Sequence, residues 1–399
     1  MAAVLACALA VTFCLASPAQ AVVLATPTPP MGWNPWYQFG CGADQTLVEQ
    51  TAKLMASDGF AAAGYKYVNL DDCWMAPQRA ADGQLQADPT GFPDGIPALA
   101  GYIHSLGLQL GVYLDAGTKT CQGRPGSAGH FAQDAQTLAG WGVDFVKVDY
   151  CNTGLPPPAP VYNQIYTAFS AVGRPIVLSV CDWGYRRPWT WAPSIASMWR
   201  TARDYTKYAG HPANFWKATL QIVDVNAPLA AYAHPGAWND PDMLLVGTGK
   251  LTPTQERAQV SLWAIMASPM LMDAGLAAMS PAASKTLTNR DVIAVDQDRA
   301  GIQGVRIKSG LQQTWVRQLS DGSRVVLLFN SGASAAQMSV RLDRIGLARR
   351  THYRVKDLWS HVTFTASQTV TGTIKANDIA MLRVWALPQV HSNGGVAAG

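Results

Sequence analysis

The sequence predicts an α/β protein in which a (β/α)8 TIM barrel is followed by a C-terminal antiparallel β-sandwich. Short, almost wholly apolar runs alternate with amphipathic helical stretches, and each apolar run is followed by an acidic residue. The runs recur at roughly 30 to 45 residues, about the length of one βα unit, and continuous apolar runs are typical of parallel strands buried on both faces. After about residue 302 the helical period gives way to short alternating runs.

The composition excludes several classes of protein. The 399 residues carry 30 basic and 26 acidic side chains, a formal charge of +4, which excludes a basic nucleic-acid scaffold. With 49% apolar and 14% charged residues the chain is not mainly disordered, and 35 Gly with 25 Pro indicate many turns. The 14 Trp outnumber both the 13 Tyr and the 10 Phe, an unusual excess that needs a reason.

The N-terminus is typical of a secreted protein. No charged residue precedes Asp44, and the apolar run Val4–Ala16 leads to an Ala-x-Ala sequence ending at Ala21. Residues 1–21 are therefore predicted to be a signal peptide, although its usual positive start is missing. The run is shorter than the about 20 residues that span a bilayer, so no membrane partner is expected.

Five cysteines remain beyond residue 21, and an odd number allows at most two bridges and one free thiol. Sequence alone leaves their pairing open. None of them has Cys-x-x-Cys spacing and the seven His are scattered without a His-Glu-x-x-His motif, so we expect no metal and no cofactor.

Helices and strands of the barrel follow in order. Helical periodicity marks residues 47–55, which end at Asp58-Gly59, then 99–106, which end at Gly107, and 131–139. Strands are predicted at Tyr65–Leu70, Leu108–Leu114, Phe145–Val148 and Ile176–Val180, with Asp71, Asp115, Asp149 and Asp182 following them.

Carboxylates that collect at the C-terminal ends of strands mark the active face of a (β/α)8 barrel. A doubly wound sheet is the competing architecture, but it would usually carry a Gly-rich first turn, and the sequence contains no Gly-x-Gly-x-x-Gly. We therefore expect the barrel to occupy residues 26–302.

The C-terminal part is predicted to be a sandwich over residues 303–388. Alternating runs at 314–319 and 324–329 flank Asp321-Gly322, which is a strong hairpin signal. Further strands are expected around 338–342, 362–370 and 379–385, and residues 389–399 are predicted to be a loose tail.

The residues that suggest chemistry are carboxylates with aromatic neighbours at strand ends. Such sets suit sugars, because carboxylates accept hydrogen bonds from hydroxyls and aromatic faces pack on ring C–H groups; the Trp excess fits such a site. An Asp after a strand is, however, often a helix N-cap, and Trp33, Trp36, Trp199 or Trp238 alone is more often core. The segments are Asp71-Asp72-Cys73-Trp74, Lys147–Cys151, Cys181-Asp182-Trp183, Trp199–Asp204 and Trp238–Met243.

Two cations are harder to explain as ordinary core. Lys147 lies inside an apolar strand, where a buried ammonium is costly unless it pairs with a carboxylate such as Asp149 or Asp72. Arg200, in Ser197-Met198-Trp199-Arg200-Thr201, is likewise costly to bury unless it pairs with a carboxylate.

At these residues the chain resembles the glycoside hydrolase family 27 α-galactosidases, or melibiases. The similarity covers nearly the whole chain after the leader, in order. It begins at Pro29–Trp36 and passes through Asp71–Trp74, Gly111–Tyr113, Lys147–Cys151 and Trp238–Met243 to Asp291–Asp298.

The resemblance implies a retaining exo-α-galactosidase that acts on terminal α-D-galactosyl residues. Asp149 falls on the family's nucleophile and would form a covalent galactosyl-enzyme. Asp204 falls on the acid/base, which protonates the leaving oxygen and then deprotonates water. Retaining glycosidases hold the two carboxyls about 5–5.5 Å apart, with the acid protonated and the nucleophile ionised, a state that Lys147 would favour.

The resemblance also implies the substrate-binding residues. Asp71 and Asp72 match the pair that receives the galactose 6- and 4-hydroxyls, Lys147 and Arg200 match donors, and Asp182 lies near the 2-substituent. Trp36 and Tyr113 match the aromatic wall of the pocket, and Asp242 and Met243 match its far side. Cys121 is the remaining substrate-binding position.

The resemblance pairs Cys41 with Cys73 and Cys121 with Cys151, and leaves Cys181 as a free thiol because Ala196 stands where some relatives carry its partner. Rival specificities within the family are β-L-arabinopyranosidase and α-N-acetylgalactosaminidase. Asp71 argues against the first, because a pentopyranose lacks the 6-hydroxyl, and an acidic residue at 182 argues against the second. A non-catalytic galactose-binding protein is the alternative from another class, and it predicts loss of a catalytic carboxylate.

Overall fold

The computed structural model describes residues 26–388. The predicted signal peptide, residues 1–21, and the predicted tail, residues 389–399, lie outside these residues. Within the described range, none of the helices combines the length and the apolar composition needed to cross a membrane.

Eight parallel strands form one sheet in the order β7-β6-β5-β4-β3-β2-β1-β8. Leu244, just after β7, forms a parallel bridge with Met272 of β8, which closes the sheet into a barrel. The predicted (β/α)8 barrel is confirmed. Its strands are β1 Met31–Trp33, β2 Tyr67–Asn69, β3 Gln109–Asp115, β4 Phe145–Asp149, β5 Val177–Cys181, β6 Met198–Arg200, β7 Trp238–Asp240 and β8 Met270–Met272.

The helices pack around the outside of this barrel, and the three predicted from periodicity are present. The first of these, α2, begins after Asp44, whose side chain accepts a hydrogen bond from the Leu47 amide, and ends before Asp58. The helices are α1 Trp36–Phe39, α2 Gln45–Ser57, α3 Phe60–Ala63, α4 Gly95–Ser105, α5 Phe131–Gly140, α6 Pro158–Ser170, α7 Tyr205–Ala209, α8 Phe215–Asn226, α9 Pro253–Ile265, α10 Pro281–Leu287 and α11 Arg290–Asp296.

The barrel interior is layered. Near the N-terminal ends of the strands an apolar layer includes Tyr67, Phe145, Trp238 and Leu271. The next inward residues along β4 and β6 are Lys147 and Arg200. Charged side chains therefore lie on an apolar floor, at the end of the barrel where the strand C-termini open outwards.

The C-terminal strands form an antiparallel domain, as predicted, with a six-stranded sheet of order β14-β13-β16-β11-β10-β9 and a separate pair β12-β15. The hairpin across Asp321-Gly322 is confirmed, since Gln318 pairs with Arg324. The strands are β9 Val305–Lys308, β10 Gln312–Gln318, β11 Arg324–Asn330, β12 Ala336–Arg341, β13 Tyr353–Asp357, β14 Thr363–Ala366, β15 Thr369–Ile374 and β16 Asp378–Ala386.

One strand prediction in this domain was wrong. The run 362–370 was expected to be a single strand, but it divides into β14 and the start of β15, which belong to different sheets. The alternation of apolar and polar residues is interrupted at Ser367-Gln368-Thr369, where Gln368 takes an apolar position, and this interruption marks the change of partner. The expected domain boundary at 302/303 falls between α11 and β9, and we propose it there.

Barrel and sandwich share buried polar contacts. Arg317 of β10 is fully buried, and its guanidinium donates to the carbonyl of Ala264, at the end of α9, at 2.5 Å. It also donates to the Asp296 carbonyl, at the end of α11, at 3.3 Å. Arg257 of α9 pairs with Asp378 of β16.

Most tryptophans belong to the core rather than to a sugar site. Trp74, Trp199 and Trp238 are each at most 1% exposed, and their indole N–H groups donate to Tyr113, Asn239 and Thr26 respectively. Trp199 and Trp238 are thus core, the alternative given for each of them, and the sugar-site interpretation of the Trp excess applies only to Trp36 and Trp183, which line the cavity described below. A large aromatic ring near a strand end fills the barrel interior as readily as it faces a cavity.

Candidate active site

A cavity of about 530 Å³ opens at the C-terminal ends of the barrel strands. It contains all the residues proposed from sequence except Asp182 and Asp242. Its lining residues are Trp36, Tyr37, Asp71, Asp72, Tyr113, Cys121, Gln122, Lys147, Asp149, Cys151, Trp183, Tyr185, Arg200, Arg203, Asp204, Thr206, Lys207 and Met243.

The alternative that these aspartates are helix N-caps does not hold. Among the strand-end carboxylates, Asp204 directly precedes a helix, α7, but its side chain makes no capping hydrogen bond. Instead its Oδ1 accepts from Arg200 Nη2 at 3.0 Å. Asp71, Asp72 and Asp149 line the cavity.

Lys147 and Asp71 form the inner ion pair of the pocket, with Nζ 2.9 Å from Oδ2. Asn34 Nδ2 donates to the same oxygen at 2.7 Å, and the Asp72 amide donates to Asp71 Oδ1 at 2.9 Å. Burial lowers the pKa of Lys147, but Asp149 and Asp71 raise it further, so the ammonium stays charged. Of the two expected partners, Asp149 lies within ion-pair distance at 3.7 Å, whereas Asp72 is replaced by its neighbour Asp71.

Asp149 is buried and sparsely bonded. Its Oδ1 lies 3.7 Å from Lys147 Nζ and has no hydrogen-bond partner among the described residues. Burial raises the pKa of Asp149 to about 6; Lys147 opposes this rise, whereas the charges of Asp71 and Asp204 add to it. Asp149 lines the cavity, and a sparsely bonded carboxylate beside a cavity can act as a nucleophile.

Arg200 links Asp204 to Asp242. Its Nη2 lies 3.0 Å from Asp204 Oδ1 and 2.7 Å from Asp242 Oδ2. Tyr37 donates its hydroxyl to the same Asp242 oxygen at 2.6 Å. The Asp204 side chain keeps 28% of its surface exposed, whereas Arg200 and Asp242 are buried, so Asp204 is held from behind and faces the opening.

Asp242 and Asp182 lie behind the pocket wall rather than in it. Asp242 borders a second cavity of about 20 Å³ beneath the pocket, and its backbone has φ 130°. Burial raises the pKa of Asp182 to about 8, and its Oδ2 is buried without a hydrogen-bond partner among the described residues. A non-glycine residue at positive φ is strained, and such residues cluster at functional sites.

The structure contains the disulfides Cys41–Cys73 and Cys121–Cys151. The second lines the pocket, with Cys121 Sγ 3.5 Å from Asp149 Oδ2. Behind it Asp115 accepts the amide of Cys151 at 3.0 Å, and burial raises the pKa of Asp115 to about 8. Asp115 and the two sulfurs lie close enough to hold a metal, but bridged sulfurs are not thiolates and cannot ligate in that form.

Asp72 is fixed by the loops that these bridges hold. Its Oδ1 accepts the Cys73 amide at 2.7 Å and its Oδ2 accepts the Gln122 amide at 2.9 Å. Burial raises the pKa of Asp72 despite these bonds. Cys181, at the end of β5, is a free and buried thiol.

Sequence reasoning missed several residues that line the cavity. Tyr37 follows Trp36 directly, and its role depends on Asp242, which is 205 positions away. Tyr185, Arg203 and Lys207 form the outer rim. The adjacency of Arg203 to Asp204 was the available signal for the rim, but exposed cations are too common in proteins to single it out.

The chain matches known families over both parts. The family model described as alpha galactosidase A matches residues 28–298, and the model of the alpha galactosidase C-terminal beta sandwich domain matches residues 309–384.

Individual relatives agree with these matches. The chain is 43% identical over 340 residues to alpha-galactosidase 2 of Arabidopsis thaliana, covering 85% of this chain and 84% of that protein. It is 40% identical over 358 residues to alpha-N-acetylgalactosaminidase of Gallus gallus, covering 84% and 86%. The crystal structure of alpha-galactosidase I from Mortierella vinacea superposes with a TM-score of 0.86 at 33% identity, covering 90% of this chain and 98% of that one.

Proposed function

Because the chain belongs to the glycoside hydrolase family 27 α-galactosidases, we propose that it releases terminal α-D-galactose from oligosaccharides or galactomannan by double displacement. α-Galactosidase activity follows from the curated relatives at about 40% identity over most of the chain. The observation that carries the mechanism is the pairing of a buried Asp149 with a partly exposed Asp204 in one cavity.

In the first step Asp204 donates a proton to the glycosidic oxygen while Asp149 attacks the anomeric carbon. The carbon–oxygen bond to the leaving group breaks and an ester to Asp149 forms. Asp149 suits this role because one of its oxygens has no hydrogen-bond partner among the described residues and Lys147 stabilises its charge.

In the second step a water molecule attacks the ester. Asp204, now a carboxylate, takes the proton of the water, the ester bond breaks, and Asp149 is restored. Asp204 suits both proton transfers because its side chain is partly exposed at the mouth while Arg200 holds it in place. The leaving group and the water can reach it from the same side.

Galactose is recognised by the inner half of the pocket. Asp71 and Asp72 accept hydrogen bonds from the 6- and 4-hydroxyls, and Lys147 and Arg200 donate to ring hydroxyls. Galactose is also contacted by four further residues that line the same cavity, Trp36, Tyr113, Cys121 and Met243.

Asp242 and Asp182 act indirectly in this proposal. Asp242 orients Arg200 and Tyr37 through its Oδ2. Asp182 supports the loop that follows β5, since it accepts the Gly184 amide at 3.2 Å. Its carboxyl, with a pKa of about 8, is neutral below that pH.

Hydrolysis of nitrophenyl glycosides tests the specificity. We expect the α-galactoside to be cleaved with a much larger kcat/KM than the α-N-acetylgalactosaminide or the β-L-arabinopyranoside. The loss of contacts to the 6-hydroxyl disfavours the pentoside. The N-acetyl group is disfavoured because the resemblance places the acidic Asp182 near the 2-substituent, where relatives that accept this group carry small residues. Equal or better turnover of either rival substrate would replace the galactose assignment.

The stereochemistry of the first product tests the mechanism. Proton NMR during hydrolysis should show α-galactose before mutarotation produces the β-anomer. If β-galactose appears first, a single displacement operates and Asp149 is not a nucleophile.

We also propose that the protein is secreted. The two disulfides support this, because such bonds persist in oxidising compartments. Expression of the full chain in its natural host, with activity assayed in medium and cells, tests the proposal; activity confined to the cells would contradict it.

A further inference from the structure

The outer rim of the pocket is cationic and aromatic. Arg203, Lys207 and Tyr185 line the cavity beside Asp204. The Arg203 guanidinium lies 5.0 Å from the centroid of the Tyr185 ring, and this ring is 49% exposed. A cation near an aromatic face is held there without losing its charge.

These rim charges have no acidic partners. In the described part of the chain neither Arg203 nor Lys207 forms an ion pair, in contrast to Lys147 and Arg200 deeper in the pocket. Between residues 183 and 217 the only acidic residue is Asp204. The basic residues of that segment are Arg186, Arg187, Arg200, Arg203, Lys207 and Lys217.

The position of the outer rim relative to the glycosidic bond determines which part of the substrate it contacts. In the proposed function Asp204 protonates the glycosidic oxygen, so the leaving group lies next to Asp204 while galactose occupies the inner half. Arg203 precedes Asp204 directly, and Lys207 follows it within α7. Both cations therefore border the leaving group rather than the galactose.

We propose that the leaving-group side of this pocket binds a carboxylate, so that α-galactosides of acidic sugars are better substrates than those of neutral ones. The inference rests on the proposed function and names a substrate class for the same site. Tyr185 offers the exposed face on which the second sugar packs, and Arg203 and Lys207 receive its carboxylate. Exposed ion pairs each contribute modestly, so we expect about a three- to tenfold preference from the two cations together.

A matched pair of substrates tests this directly. Melibionate and melibiitol carry the same α-galactosyl linkage to an open-chain six-carbon unit, and they differ in a carboxylate against a hydroxymethyl group. At an ionic strength of about 0.02 M we expect kcat/KM to be about three- to tenfold larger for melibionate. At about 1 M the Debye length falls to about 3 Å, and the preference should nearly disappear.

Substitutions that remove single charges identify the residues responsible for the preference for melibionate. Arg203→Gln and Lys207→Gln should each reduce the melibionate-to-melibiitol ratio at low salt, and the double variant should bring it near one. Lys308→Gln removes the same charge from an exposed residue of β9 in the sandwich and should leave the ratio at its original value.

The carboxylate site and the α-galactosidase activity are tested by different outcomes of these experiments. Cleavage of both substrates with equal kcat/KM overturns the carboxylate site and leaves the α-galactosidase intact. Failure to cleave melibiitol and nitrophenyl α-galactoside alike overturns the proposed function itself. A ratio that Lys308→Gln lowers as much as Arg203→Gln does would assign the preference to overall charge and overturn the site.

Discussion

Lys147 and Asp149 stand two residues apart on β4, and both side chains enter the pocket with Nζ 3.7 Å from Oδ1. The ammonium also pairs with Asp71 at 2.9 Å, so it is shared between the proposed sugar-binding carboxylate and the proposed nucleophile. This arrangement keeps a positive charge beside the carboxylate that must be ionised to react. It limits the rise in the pKa of Asp149 that burial causes.

The pH dependence of kcat/KM should follow the ionisation of Asp149. Its pKa of about 6 lies above the ordinary value, and the nucleophile is ionised above that pH, so kcat/KM should fall as the pH drops below about 6. Lys147→Met removes the charge that lowers this pKa, and the acid limb of the profile should move to higher pH. An acid limb that stays in place in the variant would show that Lys147 does not act on this ionisation.

Asp149→Asn should remove turnover for every α-galactoside, because an amide cannot form the ester intermediate. The measurement is kcat/KM with nitrophenyl α-galactoside, and added azide should not restore it through the acid/base route. Circular dichroism serves as the control for folding. Substantial residual activity in a folded variant would refute the nucleophile assignment.

Asp204→Ala should affect substrates unequally. General acid catalysis contributes about 10²- to 10⁴-fold, and most of that loss should appear with raffinose, whose leaving group needs a proton. Nitrophenyl α-galactoside needs less assistance, and azide should accelerate its turnover and yield α-galactosyl azide. Equal losses for both substrates, without azide rescue, would place the acid elsewhere.

The two disulfides allow a matched comparison. Their sequence separations are 32 for Cys41–Cys73 and 30 for Cys121–Cys151, so replacing either pair by serines should lower the free energy of unfolding by a similar amount, about 3–4 kcal/mol. Activity should suffer more from the second replacement, because Cys121 contacts Asp149. Urea unfolding and KM for the two double variants check this, and equal losses of activity would contradict it.

Stability should decline as pH rises from about 4 to 8. Burial raises the pKa of Asp115, Asp182 and Asp296 to about 8, so the folded protein binds more protons than the unfolded chain in that window. Each of these carboxyls should lower the free energy of unfolding by about 1.4 kcal/mol per pH unit across that window, and urea titration measures the fall. A stability that increases between pH 5 and pH 8 would contradict the burial of these acids.

Much of the barrel could be predicted because four of its strands are long enough to show a pattern. β3, β4 and β5 have five or seven residues, and β2 lies within a longer apolar run, whereas β1, β6, β7 and β8 have three residues each. Three residues carry no usable periodicity. The segments Trp199–Asp204 and Trp238–Met243 were nevertheless singled out by their carboxylates and aromatic residues, whereas Trp36 was assigned to the site only through the resemblance.

The site could be predicted in composition but not in its internal contacts. Lys147 pairs with Asp71 rather than Asp72, although both line the cavity, because the Asp72 carboxylate is held by the amides of Cys73 and Gln122. Trp36 lies in α1, after the first strand, and lines the pocket, whereas Trp199 and Trp238 lie within β6 and β7 and are core. Neighbouring positions in sequence do not reveal which side chains form the ion pairs of the site.

The burial of Arg317 has a consequence for how the chain loses its structure. Its guanidinium satisfies carbonyls at the ends of α9 and α11, so separating the two domains would leave these groups without partners and would expose Trp315 and Phe329 of the sandwich. The two domains should therefore melt in one cooperative calorimetric transition, with the calorimetric and van 't Hoff enthalpies equal. A truncation after α11 should yield an aggregating chain rather than a smaller enzyme.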